Sequence, residues 1–173
     1  PAQGGGEALK SAMDSLFEKA ERHISDGGNI LVMTDRHITK DRCAIPSLLA
    51  VSGLHHHLIR KGLRSSCGLI LETGEAREVM HFSLLVAFGI TAICPYVAFS
   101  TVREMAEQEY LVEKKDPEEA TDAYISAVKK GLLKSFSRMG ISTIRSFFGS
   151  QIFEAVGIDK SVINEYFCDT ASR

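Results

Sequence analysis

Apolar runs that end abruptly on polar residues recur along this chain and set its class. Gly68-Leu69-Ile70-Leu71 stops at Glu72, and Thr73-Gly74-Glu75-Ala76-Arg77-Glu78 follows with a helix-start signal. The same grammar appears where Ile30, Leu31, Val32 and Met33 lead into Thr34, Asp35 and Arg36, and more weakly at Thr91–Tyr96 and Ile141–Ser146. Each run reads as a buried strand delivering polar groups to its C-terminal end. Four such units predict a β/α protein with parallel strands.

Helical spacing fills the intervals. Leu9, Met13, Leu16, Phe17 and Ala20 mark a helix over residues 7–25, ended by Gly27-Gly28. Pro46 opens a second helix, which runs to about Lys61 before Gly62, and the strand Ser66–Leu71 follows. Thr73 reads as the N-cap of a third helix through about Phe88, stopped by Gly89. Thr101-x-x-Glu104 predicts a capping box for a helix reaching about Lys114. Asp116-Pro117-Glu118-Glu119 is the strongest helix start in the chain, and Lys129, Lys130, Lys134 and Arg138 gather at the other end before Gly140. A fourth strand is expected at Ile141–Arg145, then short helices near Ser150–Ala155 and Ser161–Phe167. Met33, Met80, Met105 and Met139 fall where packing residues are expected.

With 173 residues, 45% of them apolar, the chain has the length and the core of one domain, expected over residues 7–173 behind a flexible leader at 1–6. A closed (β/α)8 barrel takes about 250 residues, so the fold class predicted is α/β, with parallel units forming an incomplete, barrel-like domain related to the TIM barrel. Its uncovered edge would be finished by other polypeptide, and the piece alone would self-associate through that edge or its apolar flank. The opening Pro-Ala-Gln-Gly-Gly-Gly and the closing Thr170-Ala171-Ser172-Arg173 read as the ends of a piece cut from something longer. A net charge of -2 with interspersed signs advertises no nucleic-acid surface. No apolar stretch approaches the roughly 20 residues of a membrane span, so a soluble, intracellular protein is expected. Cys43, Cys67, Cys94 and Cys168 lie far apart with no Cys-x-x-Cys pair, which argues for reduced thiols and against zinc, iron–sulfur or disulfide chemistry.

In parallel β/α folds the loops after the strands share one face, where ligands are usually held. That face would carry Asp35, Arg36, Glu72, Thr73, Glu75, Tyr96, Arg145 and Ser146 as candidates for a site or an interface. A supporting role competes: acids at helix N-termini stabilise the dipole, and Arg36 or Arg77 can pair with them. Glu72 and Glu75 also suggest an acid/base pair, weakened by the lack of a nearby nucleophile. His55-His56-His57 cannot converge on one ion from a helix, whose consecutive residues point about 100° apart. His55 shares an apolar face with Val51 and Leu58 and reads as a hydrogen-bonded packing residue. Gly4-Gly5-Gly6 lacks the preceding strand and the following Gly-Lys-Ser/Thr of a phosphate loop, and no Gly-x-Ser-x-Gly supports serine hydrolase chemistry.

Several uncommon runs, in order, carry a family resemblance. Ile45-Pro46-Ser47-Leu48-Leu49-Ala50, His55-His56-His57-Leu58-Ile59, Gly62-Leu63-Arg64, Glu72-Thr73-Gly74-Glu75-Ala76-Arg77-Glu78-Val79 and Pro95-Tyr96 resemble the central domain of the glutamate synthase large subunit. A second block, Gly131-Leu132-Leu133-Lys134 through Met139-Gly140-Ile141-Ser142-Thr143 to Gln151-Ile152-Phe153-Glu154-Ala155, is similar to the end of that region, where it leads into the FMN domain. Departures are Cys43 and Cys94, where Ala and Asn are common, and Arg145, Phe147 and Phe148, where Gln, Tyr and Arg are common.

The resemblance implies a role in an enzyme that hydrolyses glutamine at an N-terminal cysteine, passes ammonia through a tunnel, and adds it to 2-oxoglutarate at an FMN and iron–sulfur centre. It implies partners in the glutaminase and FMN domains of the same polypeptide, with neither cofactor bound here and neither half-reaction catalysed by this piece alone. The compartment implied is the cytoplasm, or the plastid of a photosynthetic eukaryote. The alternative is a free-standing site for phosphate or a flavin phosphate, held by helix N-terminal amides after strands two or four.

Overall fold

The computed structural model describes residues 5–173. Three short strands, β1 (Ile30–Thr34), β2 (Gly68–Glu72) and β3 (Ala92–Cys94), form one parallel sheet in the order β1-β2-β3. Val32, Ile70 and Ala92 stand in one row and Thr34, Glu72 and Cys94 in the next. Helix α1 (Gly5–Ser25) precedes β1, α2 (Ser47–Arg60) joins β1 to β2, and α3 (Val79–Ala87) joins β2 to β3. Because the strand order never reverses, right-handed crossovers carry the connecting helices to the same side. That is a barrel wall, open and unclosed.

The two faces of the sheet differ accordingly. Leu69 and Leu71 are buried with Met33 against Met13 and Phe17 of α1, Val51, Leu54 and Leu58 of α2, and Phe82, Leu85 and Val86 of α3. On the opposite face Ile30 and Val32 are 54% and 61% exposed, with Ile70 and Ala92 beside them. Parallel sheets are ordinarily covered on both faces; the apolar run of β1, expected to be wholly buried, is covered on one.

One clamp explains how the layers stay in register. Arg64, in a 3-10 turn at Arg64–Ser66, donates from Nε to His55 Nδ1 (2.9 Å) and from its two terminal nitrogens to the carbonyls of Cys67 and Gly89 (2.7 Å each). It thus ties α2 to the entrance of β2 and the exit of α3. Gly89 sits at φ +99°, and a Cβ there would collide with the His55 ring, so no other residue fits. Burial, reinforced by the neighbouring Arg64 charge and His56, holds the His55 pKa down to about 4.

The C-terminal third is helical. Helix α4 (Tyr96–Glu107) and α5 (Pro117–Arg138) pack together, and α5 also packs on α3. Asp116 caps α5 as expected, accepting from the amides of Glu118 and Glu119. Beyond lie α6 (Ile144–Phe147), β4 (Glu154–Ala155), α7 (Lys160–Tyr166) and β5 (Ala171–Ser172), with β4 and β5 paired in parallel and α7 packed on α2.

Several expected elements are corrected. Strand four does not form: Thr143 accepts a hydrogen bond from the Ser146 amide and starts α6, whose Phe147 is buried against Phe136 and Phe153. The helix expected at Ser150–Ala155 gives way to irregular chain and β4. Helix α3 begins at Val79 and not after Thr73, because the Thr73 hydroxyl is committed elsewhere. Helix α4 begins directly after Pro95, which leaves Thr101 in its interior, and it ends at Glu107 rather than near Lys114. Gly5 and Gly6 of the expected leader belong to α1, and residues 1–4 lie outside the described part. Met33 is a core residue, whereas Met80, Met105 and Met139 are exposed.

Candidate functional site

The strand tips deliver their polar groups to one place. Asp35 leaves β1 toward the loop after β2 and accepts the Thr73 hydroxyl at 2.6 Å and the Gly74 amide at 2.9 Å. Thr73 is fully buried, and its oxygen also bonds Ser47 Oγ at 2.7 Å and accepts the Glu75 amide at 3.1 Å. The Ser47 amide, in the first turn of α2, donates to Glu75 Oε2 at 2.8 Å. A chain of polar contacts therefore runs from β1 through the β2 loop to the start of α2.

Nearer the solvent a second group sits beside it. Arg36 Nε lies 2.6 Å from Glu72 Oε1, and its guanidinium stands 4.0 Å from the centre of the Tyr96 ring, a cation–π contact. Glu72 also accepts the Thr34 hydroxyl at 2.7 Å. Tyr96, the first residue of α4, lies under Arg36 and close enough to Asp35 for the carboxylate to raise its phenol, so it stands between the two groups.

The electrostatics follow from these partners. Burial pushes the Asp35 carboxyl up, but hydrogen bonds from Thr73, Gly74 and Tyr96 outweigh it and leave its pKa below the usual range. The Thr34 hydroxyl, then Arg36, lower Glu72, while the bond to Glu72 raises Arg36 and the bond to Asp35 raises the Tyr96 phenol. A general acid needs the opposite shift, so nothing in this geometry favours the Glu72 and Glu75 acid/base reading. Glu72 is held ionised by Thr34 and Arg36, and Glu75 is engaged by Ser47. The chemistry available is positioning: a rim of fixed charges whose geometry is set by neighbouring strands and helices.

Six of the expected residues, Asp35, Arg36, Glu72, Thr73, Glu75 and Tyr96, meet here. Arg145 and Ser146 do not. They sit on α6, and Gly149 just beyond donates to the Ala87 carbonyl at the end of α3, where the chain turns back to start β3. Ser47 and Thr34 were missed as members. Pro46-Ser47 at the head of a helix was a signal for the first, and the alternation along β1 for the second. The flavin-phosphate alternative loses both supports: strand four is absent, and Glu78 occupies the N-cap of α3, where a phosphate would have to sit.

Among the described residues no three His, Cys, Asp or Glu side chains gather as a metal site, and the four cysteines range from buried Cys67 to exposed Cys43. These residues do not fit an iron–sulfur cluster. No helix among them is long and apolar enough to cross a membrane.

Comparison with known proteins matches residues 2–159 to the model of the glutamate synthase central domain. The chain is 45% identical to the NADPH glutamate synthase large chain of Bacillus subtilis, over 96% of this chain and 11% of that protein. It is 41% identical to the NADH glutamate synthase of Saccharomyces cerevisiae, over 93% and 8%, and 39% identical to the ferredoxin-dependent glutamate synthase of Pyropia yezoensis, over 99% and 12%. It thus spans about a tenth of the length of these relatives. With that match spanning residues 2–159 and these identities over nearly its whole length, the chain belongs to the glutamate synthase central domain family.

Proposed function

We propose that this chain is the linking domain of a full-length glutamate synthase, standing between its glutaminase and FMN-binding synthase domains and bounding the path of ammonia between them. The whole enzyme would make L-glutamate from glutamine-derived ammonia and 2-oxoglutarate. FMN and an iron–sulfur cluster held by the synthase part would relay the two electrons that ferredoxin, NADPH or NADH supplies. Cytoplasm, or the plastid of a photosynthetic eukaryote, is the expected compartment.

The observation that carries this reading is the bare apolar face of a parallel sheet, with Ile30 and Val32 largely exposed in a fold class that covers both faces. Such a face is completed by other polypeptide. Beside it the rim of Asp35, Arg36, Glu72 and Tyr96 is internally satisfied, which suits a fixed boundary better than a reacting centre. An enclosed path matters because ammonia in neutral water is mostly protonated and lost as a nucleophile.

The experiment is made on the full-length enzyme. Arg36→Ala or Glu72→Gln, which open the rim, should raise the ratio of glutamine hydrolysed to glutamate formed. Unchanged coupling with both activities intact would remove the rim from the ammonia path.

A further inference from the structure

The outer edge of β1 carries a hydrogen-bonding pattern that, among the described residues, is met only at the Ile30 carbonyl. Asn29 O accepts the Gly68 amide and the Asp35 amide donates to Glu72 O, so the residues in step with them, Leu31 and Met33, face β2. By the alternation of a strand, Ile30, Val32 and Thr34 turn their N–H and C=O groups away from the sheet. The Ile30 carbonyl is taken by His23 Nε2 at 3.1 Å. A cleft of about 580 Å³ adjoins this edge, lined by Val32 and Thr34 together with Ala12 and Leu16 of α1 and Ile38 and Ile45 of the loop after β1.

We infer that this edge receives a further parallel β-strand, supplied in the full-length protein by polypeptide outside residues 1–173. The inference rests on the linking-domain reading and names the contact it requires. Topology supplies the orientation. Helix α1 runs down onto the start of β1 through the Gly27-Gly28 turn. In a right-handed β-α-β unit the strand ahead of such a helix lies beneath it, beside and parallel to β1. The cleft is at that position. Relatives about ten times as long have ample chain to fill it.

A second copy of this chain fits less well. Two-fold symmetric pairing of β1 with β1 would be antiparallel, whereas the overhanging α1 frames a parallel neighbour. The incoming strand is expected to be short and apolar, since it would pair with Val32 and Thr34 and pack under Leu16.

Amide hydrogen exchange on the full-length enzyme, resolved to single residues, tests this. Leu31 and Met33, bonded to β2, are the internal reference. A paired edge slows the Val32 and Thr34 amides to within about tenfold of that reference. Exchange of Val32 and Thr34 at unprotected rates, with Leu31 and Met33 still protected, overturns the inference. Val32→Pro removes an N–H that only an added strand would accept, so it should lower the melting temperature of the full-length protein clearly below that of Val32→Ala. Equal stability of the two also overturns it. Coupling of glutamine hydrolysis to glutamate formation, measured on the Arg36 and Glu72 variants, keeps the readings separate: uncoupling with an unprotected edge sinks the strand alone, and a protected edge with unchanged coupling sinks the ammonia role alone.

Discussion

Replacing Thr73 by Val is the sharpest probe of the polar rim, because it keeps the shape and removes one oxygen. Thr73 is fully buried, and that oxygen serves Asp35, Ser47 and Glu75 at once. A hydrogen bond to an ionised group contributes about 1.5–3 kcal/mol and the others about 1 kcal/mol each. Asp35 keeps the Gly74 amide, so the low end applies to its share, and the added methyl returns about 0.8 kcal/mol. The net loss is about 3 kcal/mol, or roughly 6–12 °C in melting temperature for a chain of this size. Denaturant unfolding of the 173-residue chain reads it directly, with Thr73→Ser as the control that keeps the oxygen and loses only a methyl. If Thr73→Val were no less stable than Thr73→Ser, the network would be ornament and the argument for a rigid rim would collapse.

Two more outcomes follow from the structure. His55, with its pKa depressed from 6.5 to about 4, binds a proton more weakly folded than unfolded, so its stabilisation is complete above pH 6.5 and is lost as pH falls toward 4. The full shift would amount to about 3.4 kcal/mol, and partial solvent access reduces it to about 1–2 kcal/mol; denaturation midpoints between pH 7 and 4 should show this slope in the wild type and lose it in His55→Gln, and parallel slopes would refute it. In sedimentation over a concentration series, the isolated chain should self-associate through its bare sheet face and open edge, and a monomer at every concentration would argue that neither surface seeks cover.

The legible parts of the fold are those where glycine and proline punctuate the pattern. Gly27-Gly28, Pro46, Gly62, Gly89 and Asp116-Pro117 mark the turn from α1 into β1, both ends of α2, the end of α3 and the start of α5 within a few residues. Ile141-Ser142-Thr143-Ile144 misled because β-branched residues suit a strand on local grounds, whereas burial of Phe147 on Phe136 decided for a helix. Thr101 failed as a cap because Pro95, six residues before it, already offers a preset backbone for a helix start. The rim was legible as strand tips, one residue set per strand. Ser47 was not, since a serine at a helix head carries many meanings until a buried threonine is placed against it.

The strand order has a consequence for how the molecule is made. Ile30 waits for Gly68 and Ile70 for Ala92, so every partner in the sheet is the next strand to leave the ribosome. Each pairing spans one connecting helix, so it closes more slowly than a hairpin would, yet none has to wait for a strand beyond the next. The wall can in this way be laid down strand by strand, with the outer edge of β1 and the bare face left to be covered last.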